Sequence, residues 1–243
     1  MKPLLTIVTI TKDDPTGLFK TVKSTKWLRN KYPIVHIIID SSADTAKKNQ
    51  QLSESYHLRY IHQPPAGIYG AMNLGLSQVT TDWVWFLNGG DTLHPQFPTD
   101  LLITQLSQTH ADGCIYQIES NGEVQAWPSL SDMLPFPSLW IPHPSAIIRA
   151  PTLKRLSGFD TRYSIAADGD LWYRLIYSGA KLDLINIPLT QFSPGGASSQ
   201  SARTSAEVFR FLRRHWFTLL KWWLGKGLTL YRIPKHFYAQ SKA

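Results

Sequence analysis

The chain is poor in cysteine, in charge and in long apolar runs. One cysteine, Cys114, stands among 243 residues. An internal disulfide is therefore excluded, and a reducing compartment is the expectation. No run reaches the ~20 apolar residues that a membrane-crossing helix needs. The early run Leu4 to Ile10 is stopped by Lys12 and Asp13 and has no small-residue cleavage site. It reads as a first buried strand and not as a signal peptide. Several reaction motifs are also missing. No Gly-Lys-Ser/Thr follows a glycine turn, no Gly-x-Ser-x-Gly elbow exists, and no His/Cys set has zinc spacing. There is no internal repeat. What the chain has is 43% hydrophobic residues, enough for one sizeable core in one large α/β domain or two small ones.

The formal charge of +8 is unevenly placed. Nine of the 25 Lys/Arg, but one of the 17 Asp/Glu (Glu207), fall between Arg203 and Ala243. The body before that is neutral. A basic sequence often signals nucleic-acid binding, but an excess confined to one tail points to a single attachment surface instead.

Hydrophobic patterning gives the fold class. Leu4–Ile10, Val35–Ile39, Leu58–Ile61 and Trp83–Leu87 are short, apolar and strand-like. Between them Gly17–Leu28, Thr45–Tyr56 and Ala71–Val79 read as helices. Such alternation predicts an α/β fold with a parallel sheet flanked by helices. Ligands of such sheets lie beyond the carboxyl ends of the strands. Further on, Cys114–Glu119 with Gly122–Trp127 suggests a hairpin, Ser145–Arg149 a strand, Asp170–Tyr177 a helix and Lys181–Ile187 a last strand. Ser193–Ser205 is Gly/Ser-rich and reads as flexible.

Two strands run into carboxylates, Asp40 and, after Asn88-Gly89-Gly90, Asp91. A hard cation such as Mg²⁺ or Mn²⁺ needs only one or two protein carboxylates when phosphate completes its shell. Asp91 alone also fits a turn residue bracing Asn88-Gly89. Asp168 and Asp170 stand at the start of a helix, where the macrodipole favours negative charge. Asp170 fits such a helix charge. Asp168, among small residues, fits a general base facing a pocket. Gly67-Ile68-Tyr69-Gly70-Ala71-Met72-Asn73 opens a helix with two glycines, a weak signal by itself. His143, between Pro142 and Pro144, fits a surface or structural role as well as a functional one.

Four segments together resemble the family 2 glycosyltransferases of GT-A fold, and within them the branch of bacterial surface-polysaccharide assembly. They are TIVTITKDD, HIIIDSSADT, AGIYGAMNLGL with DWVWFLNGGDTL, and HPSAIIRAPTLKRLSGFDTRYSIAADGDLWYRL. FSPGGASSQSARTSAE is similar to the family's loop before a C-terminal helix. The resemblance runs from Thr6 to about Arg214. It implies a mostly parallel Rossmann-like sheet in a domain of residues 1–202. The nucleotide half would be about 1–111 and the acceptor half about 112–202, with a basic tail over 203–243. It implies an inverting transferase that moves a sugar from a nucleotide-sugar, most commonly a UDP-sugar, to a glycan or lipid-linked hydroxyl. Thr9, Thr11, Asp40, Gly67, Asn73, Asn88 and Arg203 would contact the nucleotide-sugar. Asp91 would bind Mg²⁺ or Mn²⁺, and Asp168 would be the catalytic base. His143, Asp170 and the Gly195-Gly196 loop would shape the acceptor and diphosphate side. The chain departs from the family at Gly70 and Ala66, where acids are common, in a shorter loop after Asp40, and in keeping only the last acid of the DxD-like motif. These departures also suit a nucleotide-sugar-binding protein that has lost turnover.

From Val208 to Leu224 the tail reads VFRFLRRHWFTLLKWWL. Val208, Leu212, Leu219 and Trp223 recur at helical spacing, as do Phe209, Trp216 and Leu220, with Arg210, Arg213, Arg214 and Lys221 elsewhere on the wheel. An apolar face with basic flanks suits an interfacial helix on anionic lipid. It also suits a helix packed on the domain with its basic face in water. The expectation is a cytoplasmic protein, peripheral at the inner face of the membrane, without nucleic acid.

Overall fold

The computed structural model describes residues 3–125, 141–193 and 201–224. The first half alternates as expected: β1 (Leu5–Thr11), α1 (Pro15–Ser24), α2 (Lys26–Lys31), β2 (Ile34–Asp40), α3 (Ala46–Ser55), β3 (Arg59–His62), α4 (Gly67–Ser77) and β4 (Trp83–Phe86). The second half comprises β5 (Thr92–Leu93), α5 (Thr99–Gln108), β6 (Gly113–Ser120), β7 (Glu123–Val124), a 3₁₀ turn (His143–Ser145), β8 (Ala146–Arg149), α6 (Ala150–Arg155), α7 (Ala167–Tyr177), β9 (Leu182–Phe192) and α8 (Ser201–Leu224).

One sheet runs β3-β2-β1-β4-β8-β6-β9-β5, with β7 paired to β6. The first four strands are parallel, and so are β6 and β9. The pairs β4–β8, β8–β6, β9–β5 and β6–β7 are antiparallel. The sheet is therefore mixed, not mostly parallel. An apolar run says that a strand is buried on both faces, but not which way it points.

Strand periodicity builds the core on both faces. Leu5, Ile7, Trp83 and Trp85 face one layer, with Leu102 and Leu106 of α5. Val8, Val84 and Phe86 face the other, with α4, α7 and Phe211 of α8. The helix expected over Gly17–Leu28 breaks at Thr25, whose hydroxyl bonds back to the carbonyls of Thr21 and Val22. Such back-bonding weakens helical continuity. Helix α7 starts three residues earlier than expected, which places Asp168 and Asp170 both in its first turn. The hairpin is β6–β7 as far as it is described. Trp127 and the Gly195-Gly196 loop lie outside the described residues, as does the tail beyond Leu224.

Candidate active site

The carboxyl ends of β1, β2 and β4 open into a cavity of about 710 Å³, lined also by Ile141–Pro144, the start of α7 and Phe192–Ser193. Its walls include Thr11, Gly67, Asn88, Asp91, His143 and Asp168 from the sequence reading. The acid after β4 and the acid of the α7 start thus share one space, although 77 positions separate them in the chain.

Local backbone explains why these groups arrive here. Gly90 sits at φ 104°, a conformation that disfavours side chains. The turn it allows is held from behind by Thr21, whose hydroxyl donates to Asp91 O at 2.7 Å and accepts from Gly90 N at 3.0 Å. Asp91 itself is buried, and its Oδ1 accepts one bond, from Ser193 N at 2.9 Å. Burial pushes its carboxyl up to about 6, against the smaller opposing pulls of that N–H and of His143. One neutral donor does not offset the desolvation of a carboxylate.

His143 links the Asn88–Asp91 turn, through Asn88, to Asp168. Asn88 presents its amide nitrogen to His143 Nε2 at 2.8 Å. Nε2 is then the acceptor, and the Nδ1 proton faces Asp168 Oδ2, 3.5 Å away. Asp168 is held further by Gly169 N at 2.9 Å and by the Tyr69 hydroxyl at 3.2 Å. Tyr69 also donates to the Ile165 carbonyl, and burial above all keeps its hydroxyl protonated. Helix α4 opens toward the cavity at Gly67 (φ 76°), and Ala66 before it makes no side-chain cap. Its first N–H groups are suited to an anion.

Among the described residues no group of three or more His, Cys, Asp or Glu assembles as a metal cage. The oxygens present nevertheless fit a hard cation with an incomplete protein shell. Asp91 supplies a carboxylate short of partners. Asn88 Oδ1 and Thr11 Oγ1 are buried without a hydrogen-bond partner among the described residues. Phosphate oxygens would have to complete such a shell.

Four sequence-predicted residues stand apart from the cavity wall. Thr9 is buried, with its hydroxyl 2.9 Å from His36 Nε2, because it stands two residues short of the carboxyl end of β1, on the same face as Thr11 but below the cavity. Burial drives that histidine down to about 3, so it is neutral. Asp40 is fully buried and already accepts four bonds, from Ser42 N and Oγ, Asn49 Nδ2 and the Tyr60 hydroxyl. No lone pair is left free for a ligand, and Ser41 is the residue of that loop at the cavity. Asn73 spends both ends of its amide on the backbone of Phe159. Asp170 is fully buried beneath α8 and bonded to Arg174 (2.7 Å) and His215 (2.9 Å), not on an acceptor surface. Burial opposes its charge, but His215 and Arg174 outweigh burial and hold its carboxyl below the usual range. Nothing is described of the Arg203 side chain. Sequence reading passed over Tyr69, Ser41 and Ser193. Tyr69 stood inside a quoted segment, but one tyrosine in a helix start carries no signal of its own.

Comparisons with known proteins bear on this geometry. The sequence profile described as Glycosyl transferase family 2 matches residues 6–166, about two thirds of the chain. An uncharacterized glycosyltransferase of Mycobacterium tuberculosis is 25% identical over 222 residues, covering 87% of this chain and 82% of that one. The pre-mycofactocin glycosyltransferase of the same organism is 25% identical over 193 residues, which are 73% of this chain but 40% of that protein. Among solved structures, residues 1–349 of Staphylococcus aureus TarS with UDP-GlcNAc superpose with a TM-score of 0.62 at 15% identity, over 81% of this chain and 61% of that one. The Pyrobaculum calidifontis mannosyltransferase PcManGT with GDP-Man and Mn²⁺ gives 0.62 at 15%, over 88% and 64%. The fold is thus GT-A-like, and the match covers 37% of the longer chain in another TarS crystal structure.

Proposed function

The chain belongs to glycosyl transferase family 2, and from that premise we propose that it is a metal-assisted, inverting transferase. It moves a sugar from a UDP-sugar to a hydroxyl of a glycan or lipid-linked acceptor in cell-surface polysaccharide assembly. The observation that carries this reading is the single cavity shared by the Asn88–Asp91 turn and Asp168, with His143 between them.

In this mechanism the diphosphate lies between the α4 start and the Asn88–Asp91 turn. Asp91 and Asn88 Oδ1 would hold Mg²⁺ or Mn²⁺, which when bound offsets charge on the departing diphosphate. Asp168 takes the acceptor's hydroxyl proton as that oxygen attacks the anomeric carbon. The bond from that carbon to the diphosphate oxygen breaks on the opposite face, and its electron pair leaves with the nucleoside diphosphate. The anomeric configuration inverts. His143 Nδ1–H steadies the Asp168 carboxylate, and the Asn88 amide keeps the ring in that tautomer. Ser41, and not Asp40, is the loop residue offered to the base.

We assign α8 a second role, attachment to an anionic inner-membrane surface near the acceptor. No helix among the described residues is long and apolar enough to cross a membrane. Support comes from Phe209, Trp216 and Phe217, which stand 68%, 52% and 70% exposed.

The test is a melting screen of UDP-, GDP- and dTDP-sugars with and without Mn²⁺, since a ligand bound to the folded state raises Tm by mass action. It is followed by nucleoside-diphosphate release with the selected donor and crude lipid-linked acceptors. A donor that stabilises the chain and is never turned over would favour a binding protein of the same fold. No stabilisation by any sugar nucleotide would refute both.

A further inference from the structure

Glu207 is the one acid in the basic tail, and it is buried. Its carboxylate collects the backbone of the segment that leads into α7. Oε1 accepts from Ser164 N at 2.8 Å and from the Ser164 hydroxyl. Oε2 accepts from Ile165 N at 2.8 Å and Ala166 N at 3.0 Å. Three successive N–H groups converging on one carboxylate form an anion nest, filled here from within the chain. Burial opposes the charge, yet Ser164 and the three N–H groups outweigh burial and hold the carboxyl below its usual range. Nothing local does this work, because Ala166, at the cap position of α7, has no side-chain acceptor.

The same segment is gripped from its other side. The Ile165 carbonyl accepts from the Tyr69 hydroxyl, which also reaches Asp168 Oδ1 at 3.2 Å. Asp168 follows Ala166 by two residues, and Ile165 and Asp168 both line the cavity. A second strut runs from His215 to Asp170 in the same first turn. Helix α8 therefore holds the α7 start at two points one turn apart.

We propose that Glu207 is a positioning residue for the base: from the C-terminal helix it fixes the 164–166 backbone, and with it the place of the Asp168 carboxylate in the cavity. This rests on the reading of Asp168 as base given above. It makes Glu207 of α8 a support for the base, while the rest of the helix serves docking alone. A carboxylate misplaced by about an ångström loses its reach to the acceptor proton without affecting donor binding.

The test uses the full chain with Glu207→Gln, Glu207→Ala, Phe211→Leu and Asp168→Asn. Glu207→Gln keeps the length and one acceptor oxygen but turns an amide N–H₂ onto backbone donors. The expected result is a kcat about 10- to 100-fold lower, with KM for the donor selected by the melting screen within about twofold. Glu207→Ala should lose more. Amide exchange at Ser164–Ala166 should quicken at least about tenfold in both. Phe211→Leu loosens the same helix through its apolar anchor and should lower Tm with little change in kcat. Equal kcat losses in Phe211→Leu and Glu207→Gln at equal loss of Tm would reduce Glu207 to a stabilising contact and overturn the proposal. Unchanged kcat in Glu207→Gln beside an inactive Asp168→Asn would overturn it too. If Glu207→Ala fails to fold, the Gln variant decides. Full turnover in Asp168→Asn would instead sink the base assignment, while the exchange measurement still reports whether Glu207 holds the loop.

Discussion

At the scale of single residues, Asp91 sets function against stability. Its carboxyl is raised from 3.8 to about 6 by burial. A raised carboxyl binds its proton more tightly in the folded chain than in the unfolded one. Stability therefore falls as pH rises from 3.8 toward 6 and is level above that. The full span is on the order of 3 kcal/mol. Asp91→Asn keeps the acceptor for Ser193 N–H and removes the charge. At pH 7.5 the variant is expected to melt a few degrees higher than the parent in calorimetry and to lose transfer. Mn²⁺ with the donor should raise the parent's Tm and leave the variant's unchanged. A variant that melts lower at pH 7.5 would show that the buried charge is already compensated. Asp168→Asn differs, because its side chain is partly exposed. It should cost about 10²- to 10⁴-fold in kcat with little change in Tm or in donor KM, read from initial rates of diphosphate release.

At the scale of elements, what was legible was what has a period. The strands and helices of the first half stand near their expected places because alternating or wholly apolar runs leave few other options. Helix α5 went unread, because TDLLITQLSQ mixes β-branched and polar residues with no cap motif. Strand direction was unreadable for the reason that makes the sheet mixed. Asp91 and Asp168 drew notice as acids after a glycine turn and at a helix start, and the fold brings both to one cavity; their roles are part of the proposal. Thr9 and Asp40 stand off the cavity wall because a strand does not reveal how far along it the cavity begins or which partners claim a side chain. Asn73 and Asp170 also stand off the cavity wall: both are polar, but Phe159 and His215, which claim them, come from distant sequence, and only Arg174, one turn after Asp170, is a local partner. Close packing between elements was equally hidden. Gly75 of α4 passes so near β1 that an added Cβ would lie 2.3 Å from Val8 Cγ1. Gly75→Ala must push the helix off the sheet and is expected to cost about 1–3 kcal/mol, measured by urea unfolding. A cost below a few tenths would mean that α4 has room to shift.

At the scale of the whole molecule, α8 resolves an ambiguity that the helical wheel left open. The sequence shows two apolar stripes, and a helix docked on one domain can bury only one. Phe211 is buried in the core, with Val208 and Leu212 packed beside it. Arg214 reaches Asp160 at 2.6 Å. Of the other basic residues whose side chains are described, Arg213 is exposed on the side that also carries Phe209, Trp216 and Phe217, and Arg210 is exposed at its edge, its guanidinium 5.4 Å from the centre of the Tyr163 ring. The docked stripe is thus spent on the domain, and the free stripe joins aromatics to cations that no carboxylate among the described residues neutralises. Water gives such a face no reward, whereas an anionic interface contributes about 1 kcal/mol for each nearby arginine beyond the aromatic burial. One kilocalorie is about fivefold in affinity. Vesicles of anionic lipid should therefore float the full chain at low salt. Arg210→Gln and Arg213→Gln should each weaken binding about fivefold and flatten its salt dependence. Trp216→Ala with Phe217→Ala should abolish it at any salt. Arg214→Gln is the contrasting case, because that guanidinium already serves Asp160; it should lower Tm and leave vesicle binding as it was. Equal loss of binding in all three arginine variants would mean that net charge, and not this face, attracts the lipid. No flotation of the parent chain would remove the membrane from the account and leave the stripe without a partner.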